Sequence, residues 1–503
     1  MTEYMYAGYP VARVYRNKGD KKNIHELLWG DWVKITGTKN GGWIPVHVRN
    51  MDGWMKADDL IKDRLLEIVF VDVGQGDGAL VVTPEDKHMV IDAGISDNMY
   101  RFLSWRYGGF KKKWYFESAV MTHPDQDHYA GFSKLFDNPN ISFGNVYHNG
   151  IIESNGKEKE SLGESTDIDG IRYIVEVMDD KKKLKTFLGN KSRWARKKYP
   201  GLLNNALESG RVDNIGMLST AHGTDGYIPG YTKDKKLSIQ VLGPVAESDN
   251  GSRTILRWFK KLDKGGFNKG QTKNGHSVIL KIKYHDISIL MGADLNWAAE
   301  RFLLEQHVGR PVPDQDAKKE EIDAFVFLAR EIFESDVVKC CHHGSADFMD
   351  IFLQATNPIA TVVSSGDEES HAHPRSDTLG AIGKHARGDR PLIFSTELGR
   401  SIRESEPSKL QKELIKKQDA LAKSTKENDK KKLKDELDTI TEEILKRNVT
   451  VYGAINLRTD GYNIVLAQRL EEDRRAGGAL QKWDVYKLEP DTNGKLHYVS
   501  NSH

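Results

Sequence analysis

Cysteine is almost absent. The chain has only Cys340 and Cys341, and sequence neighbours cannot easily bridge each other, so no disulfide framework holds the fold. A reducing compartment fits that usage. Long hydrophobic runs are missing as well: none approaches the roughly 18 apolar residues of a spanning helix, and the stretch from Met1 to Pro10 has no basic segment followed by an apolar one. These absences predict a cytoplasmic protein with no membrane contact. Net charge is the third absence. Lys and Arg number 74 against 73 Asp and Glu, a formal charge of +1, so no global field favours nucleic acid or membrane and any such affinity must come from local patches.

What is there is ample apolar material, with 38% hydrophobic and 9% aromatic residues over 503 positions. That excludes wholesale disorder and suggests two to four folding units on a prior of roughly 150 residues per domain. Residues 1–62 carry short β-like runs broken by turns, at Val11 to Tyr15, Asp31 to Ile35, Gly42 to Val46 and Gly53 to Met55. This order of glycine turns and Gly-Trp strands resembles the bacterial Src-homology-3-like (SH3-like) barrel. Trp43 and Trp54 are then either barrel core or an aromatic groove for a peptide or other ligand. Residues Lys56 to Arg64 read as the link onward.

From Leu65 the texture becomes apolar strands alternating with amphipathic stretches, which predicts an α/β layered domain over residues 63–402. Strands are expected at 66–71, 78–82, 88–92, 118–121, 237–242, 277–282, 287–291, 337–340 and 360–364. Two segments interrupt this pattern. Residues 153–236 are polar and basic, with Lys181, Lys182, Lys183, Lys191, Arg193, Trp194, Arg196, Lys197 and Lys198. They read either as a solvated helical face or as a nucleic-acid contact with Trp194 stacking on a base. Residues 403–447 place Leu410, Leu414, Leu421, Leu433, Leu437, Ile440 and Ile444 mostly at three- and four-residue steps, the pattern of a helical hairpin or coiled coil suited to a projecting arm or a homodimer contact. Strand-like sequence resumes within 448–503, so the hairpin reads as an insertion before the last strands of the same domain.

The densest chemistry is Thr122-His123-Pro124-Asp125-Gln126-Asp127-His128, directly after an expected strand. Two imidazoles and two further carboxylates within six residues can converge on metal ions, and burying them without a cation would be costly. This loop resembles the signature of the metallo-β-lactamase superfamily, His-x-His-x-Asp-His, with Asp125 standing where the second histidine is usual. That variant is similar to the metallohydrolase domain of ComEC-type DNA-uptake proteins. The same order of motifs follows: Val71 to Gly78, Ile91 to Gly94, Asn274 to Ser277, Met291 to Asp294, His342 to Ser345 and His371 to Pro374. The resemblance covers about residues 64 to 400 and the strands after 450. It implies an αββα sandwich preceded by the small barrel and carrying the hairpin. No membrane channel accompanies it, so DNA uptake is not implied.

The resemblance further implies that His123, Asp125, Asp127 and His128 are metal ligands and that Asp294 bridges two metals. His343 and His373 compete for the remaining imidazole, His342 is a catalytic acid or phosphate contact, and His343 counts with Asp127 and His342 among the catalytic residues. His276 sits near where many superfamily members place another ligand and ComEC-type sequences often lack one. Asp72, Gln75, Asp77 and Asp92 would orient the ligands, with Asp77 an alternative contact to metal or substrate. A mixed His and Asp set accepts two divalent ions, Zn²⁺ or Mn²⁺. Two such ions suit in-line phosphodiester hydrolysis, with Asp127 orienting the nucleophile and His342 or His373 serving the leaving group. Cys340 and Cys341 read as small core residues. The glycines at 74, 76 and 78 are followed by strand, not helix, which argues against a dinucleotide site.

The expected function is therefore a metal-dependent phosphodiesterase, foremost a DNA nuclease, and the added barrel fits an effector of defence against foreign DNA. The alternatives are hydrolysis of a small substrate such as a cyclic nucleotide, phospholipid or lactone, and a scaffold that recruits protein partners through the barrel or hairpin.

Overall fold

The structure is a computed structural model, which describes residues 4–156, 161–251, 253–261, 266–314, 316–366, 372–396, 409–446 and 449–499. His371, quoted above in the His371 to Pro374 motif, lies outside them, as does the expected boundary at 402 and 403. Among the described residues no helix is long and apolar enough to cross a membrane. The protein is a mixed α/β structure built on several sheets.

Seven short strands between Tyr4 and Ile61 form one sheet around Ala7, Val14, Leu27, Val33, Val46, Val48 and Met55, all fully buried. Strands missed in the sequence, Tyr4–Ala7, Asn23–Leu28 and Leu60–Ile61, complete it. Gly53 is required there, because a Cβ would meet the Tyr15 carbonyl oxygen and a Val14 methyl at 2.7 Å each. Trp43 and Trp54 are half-buried, and Trp43 stands edge-on to Tyr15 at 5.1 Å. This unit is docked on the rest of the chain. The Asn23 side chain donates to Leu480 O at 2.9 Å and accepts from Leu480 N at 2.7 Å, and Glu26 accepts from Lys482 N at 2.8 Å. Leu28 and Trp29 share a buried cluster with Leu65, Val465 and Ala467.

The main body has two large sheets. One has ten strands in the spatial order Val212–Met217, Ile141–His148, Trp114–Val120, His88–Ala93, Gly78–Val82, Leu66–Phe70, Ile455–Thr459, Ile464–Ala476, Ala479–Pro490 and Leu496–Val499. The other has six: Leu237–Gly243, Ile279–Tyr284, Ile287–Met291, Val337–Lys339, Ala360–Val363 and Leu392–Ser395. Alternation explains how they stack. Leu66, Ile68 and Phe70 point into a core shared with Val241, Leu280, Ile289 and Val362 of the second sheet. Val69, between them in sequence, faces the opposite side among Leu103, Phe132 and Leu203. Helices Asn98–Arg106, Phe132–Asp137, Lys181–Gly189 and Lys198–Glu208 cover that side, while Trp297–Val308, Lys319–Phe333 and Asp350–Thr356 cover the outer face of the six-stranded sheet. The layers therefore run helix, sheet, sheet, helix.

The stretch 153–236, polar and basic in sequence, is built into the sheets and their cover. Its strand Val212–Met217 is the edge of the ten-stranded sheet, its two longer helices belong to a covering layer, and Ser165–Ile168 and Ile171–Ile174 join Glu247–Asp249 and Arg253–Arg257 in a small four-stranded sheet. Helices Lys409–Lys423 and Glu427–Lys446 lie against each other, with Lys417 Nζ 2.6 Å from Glu436 Oε2. The chain then enters Ile455–Thr459, paired antiparallel with Leu66–Phe70.

Candidate metal centre

His88–Ala93 and Trp114–Val120 are parallel neighbours, as are Ile287–Met291, Val337–Lys339 and Ala360–Val363, so the segments leaving their carboxyl ends gather at one edge of the two sheets. The first sheet supplies Asp92, His123, Asp125, Asp127 and His128, the last two on the short helix Gln126–Tyr129. The second supplies Asp294, His342 and His343. Sharp turns aim these side chains: Asp92, Ala293, His342 and His343 all have positive φ, between 42° and 54°.

Asp294 stands at the centre. Its Oδ2 is 3.2 Å from His128 Nε2, 3.3 Å from His343 Nε2, and 3.9 Å from the Nε2 atoms of both His123 and His342. The outer nitrogens decide what those Nε2 atoms can be. His128 Nδ1 donates to Asp92 Oδ2 at 2.8 Å, and His343 Nδ1 donates to Ser364 O at 3.1 Å. His123 Nδ1 faces Ser277 Oγ at 3.3 Å, and that hydroxyl already donates to Asn274 O. With the proton on Nδ1 in each neutral ring, three Nε2 lone pairs point at a carboxylate. Among the described residues His123 Nε2, His128 Nε2, His343 Nε2 and Asp294 Oδ1 are buried without hydrogen-bond partners. Lone pairs facing lone pairs require a positive charge between them.

The titration behaviour says the same. Burial opposes charge on His343, but the carboxylates of Asp294 and Asp77 overcome it and push the imidazole up to about 10. Burial is likewise overcome at His128, raised well above its usual value by Asp294 and Asp92. The pocket attracts either protons on its imidazoles or a metal cation in their place. Ligand atoms of His123, His128 and Asp294 lie within 4.8 Å of one another, as do those of Asp127, His128 and His343 and those of Asp77, Asp294 and His343. These buried clusters could hold a metal ion. Asp77, Asp92 and His128 form a fourth such group, but the Asp92 to His128 hydrogen bond makes Asp92 an orienter: it also accepts from Thr122 N at 2.8 Å and Thr122 Oγ1 at 2.7 Å.

Asp125 is placed differently from the rest of its motif. It belongs to none of these groups; its Oδ1 pairs with Lys273 Nζ, and Oδ2 lies 3.6 Å from His123 Nε2. With its amide oriented to satisfy both partners, Asn274 donates to Asp125 Oδ2 and Gly270 O, each at 2.9 Å. Asp125 is thus a carboxylate balanced by an ammonium at the rim of the cluster. His276 is separate from the centre. Its Nε2 donates to Arg257 O at 2.7 Å, its ring lies 4.9 Å from Phe259, and burial pushes its pKa down to about 4, the marks of a neutral core histidine.

His342 and His373 line an open cavity of about 330 Å³ together with Gln75, Asp125, Asp127 and His343. Their rings are 5.7 Å apart. Among the described residues the ligand groups include His343 and not His373, so of the two histidines in competition His343 is the one shown at the cluster. Asp72 is buried and its Oδ1 accepts from Gly74 N at 3.1 Å, holding the glycine loop. That loop needs Gly76: at φ 107° its backbone passes so close to Asp127 that a Cβ would stand 1.7 Å from the Asp127 carbonyl oxygen.

Of the insertion residues, Trp194 is buried in the helical layer and donates its indole N–H to Leu188 O at 3.0 Å. The expectation that it stacks on a base is corrected, since neither face is open. Arg193 makes a bidentate pair with Glu176 at 2.6 and 2.7 Å. Lys183 pairs with Asp179, Lys181 donates to Asp213 O, and Lys198 reaches Gln126 Oε1 at 3.3 Å. Lys182, Lys191 and Arg196 are exposed.

Two lysines escaped the sequence reading. Lys339 is fully enclosed, pairs with Asp77 and donates to Ala293 O at 3.1 Å; Lys273 holds Asp125. A lysine ending the apolar run Val337–Lys339 is a signal for the first, because a buried ammonium demands a carboxylate. Comparison with known protein families and with curated proteins finds no match to this chain.

Proposed function

We propose that the chain is a metal-dependent phosphodiester hydrolase acting on nucleic acid, with DNA as its foremost substrate, on an αββα frame of the metallo-β-lactamase kind preceded by an SH3-like barrel. The observation that carries this reading is Asp294 with four imidazole Nε2 atoms within 3.9 Å, the arrangement of a shared carboxylate. The four-layer order of helices and sheets and the gathering of the quoted motifs at one edge support it. Two divalent cations, Zn²⁺ or Mn²⁺, would supply Lewis acidity toward a phosphoryl oxygen and bring water within reach of deprotonation near neutral pH.

The chain's own residues do the rest. His123, His128, Asp127, His343 and Asp294 would hold the ions, Asp294 serving both. Asp127 is partly exposed toward the cavity, where its carboxylate orients an attacking water. His342 stands across that cavity beside His373, placed to exchange a proton with a leaving oxygen. The ammonium of Lys273 neutralises Asp125 at the rim and so lessens repulsion of an anionic substrate.

The test measures metal content per chain and cleavage of single-stranded, linear duplex and circular DNA, RNA and cyclic nucleotides with Mn²⁺ or Zn²⁺, using Asp294→Ala as control. Bound metal and cleavage that both vanish in the variant, with the circular dichroism spectrum kept, is the expected result. Full metal content and turnover in Asp294→Ala would overturn the assignment. Activity on cyclic nucleotides alone would favour the small-substrate alternative.

A further inference from the structure

Beside the metal cavity lies a second cleft of about 440 Å³, lined by Arg172, Trp258, Lys260, Lys261, Phe267 and Trp297 among others. We propose that this cleft is a binding track for single-stranded polynucleotide that delivers the strand to the metal cavity; the delivery part rests on the hydrolase reading above.

Three observations carry it. Cations and aromatic faces alternate along the walls: the Arg172 guanidinium is 5.9 Å from the ring centroids of both Trp258 and Phe267, and Lys260 Nζ is 5.2 Å from Phe267. Bases stack on such rings while phosphates meet the cations, a combination that suits unpaired strands because only they expose base faces.

Phe267 is 43% exposed, a large apolar face left to solvent within a charged surrounding. Trp258 is buried and meets Phe267 edge-on at 6.4 Å, so it props the exposed ring instead of covering it. The cleft's positive charge is also available. Arg257 is neutralised by Glu247 at 2.7 Å, and Arg172 has Asp167 at 3.9 Å, but among the described residues no carboxylate pairs with Lys260 or Lys261. A nonpolar peptide would leave those ammonium groups uncompensated; a polyanion with flat apolar bases uses both features.

The third observation is continuity. Lys260 and Phe267 face each other across an antiparallel bridge, and the next residue, Asn268, caps the helix Lys269–Gly275 and lines the metal cavity. One segment thus forms the wall between cleft and cavity, so a strand seated on Phe267 has the metal cluster beyond Asn268. The helical basic stretch 181–198 lacks this arrangement, since its tryptophan is internal.

The test uses a fluorescent oligo-dT and the same sequence as a duplex, titrated into the full chain by anisotropy over a salt series. In parallel it follows hydrolysis of bis(p-nitrophenyl) phosphate with Mn²⁺. Phe267→Ala should weaken oligo-dT binding about 5- to 150-fold. The double variant Lys260→Glu and Lys261→Glu should weaken it and flatten the log–log salt slope by about 1.4, two contacts at roughly 0.7 each. Hydrolysis of the small diester should be unchanged in both. Wild-type affinity and slope in both variants would overturn the track, as would duplex binding that equals oligo-dT binding and ignores Phe267→Ala. If the small diester is never hydrolysed but oligo-dT binding falls as stated, the track stands and the hydrolase reading fails.

Discussion

Asp92 and His128, 36 residues apart in sequence, meet at 2.8 Å through a hydrogen bond from Nδ1 to carboxylate. That bond sets the tautomer that turns His128 Nε2 toward Asp294. Asp92→Asn tests it with little backbone strain, because asparagine tolerates the positive φ of 54° at this position. Metal affinity, measured by competition with a chromophoric chelator, should fall about 10- to 100-fold. Unchanged affinity would show that the imidazole is oriented by something else.

Gly76→Ala places a Cβ against the Asp127 carbonyl in a backbone region with φ 107°. Backbone strain alone should cost about 1–3 kcal/mol in urea denaturation, and the displaced Asp127 should lower turnover by about 10²-fold or more. Gly210→Ala, where φ is 65° and a Cβ meets open space, should cost stability without touching turnover.

Trp194→Ala removes a buried ring from the helical layer. A loss of about 3–5 kcal/mol is expected, whereas Lys182→Glu, on the exposed face of the same segment, should stay within about 0.5 kcal/mol. Thermal denaturation of both variants measures the contrast. A stable Trp194→Ala would mean that the ring is not packed as described.

Burial pushes the pKa values of His148 and His276 down to about 4. Their folded values lie below the unfolded value near 6.5, so the unfolded chain takes up protons first as the pH drops. Stability from these two neutral rings is fully present above about pH 6.5 and is lost as the pH falls toward 4, at up to about 1.4 kcal/mol per pH unit for each. Urea midpoints between pH 7 and pH 4.5 check this. His148→Asn should reduce the slope of the acid limb, and a slope identical to wild type would remove His148 as a contributor.

Much of the framework was legible because two-sided burial leaves a plain trace. Strands such as Leu66–Phe70 and Gly78–Val82 read as apolar runs whose alternate residues have separate cores to fill. Strands carrying polar residues, among them Ile141–His148 and Val212–Met217, were missed, since Asn145, Asp213 and Asn214 break the pattern and only pairing with neighbours makes them strand. At the site, His123, Asp127 and His128 were legible from spacing because one loop and one helical turn place them. His343 and His276 were not separable by spacing. Each lies in a polar turn near a strand, and only the packing of Phe259 and the Arg257 carbonyl takes His276 away from the cluster.

The sequence by itself determined the chemistry: which carboxylates and imidazoles exist, their order, and the strand ends from which they depart. Tertiary structure decided their partners. Lys339 and Asp77 are 262 residues apart, and Lys273 and Asp125 are 148 apart, yet each pair meets because the two sheets stack with their loops on one edge. Trp194 and the basic residues around it show the converse. A composition that suggested an open surface became partly interior once the helices covered the sheet. Local spacing fixes where a side chain leaves the backbone, but burial and charge compensation depend on the surfaces that distant segments bring to it.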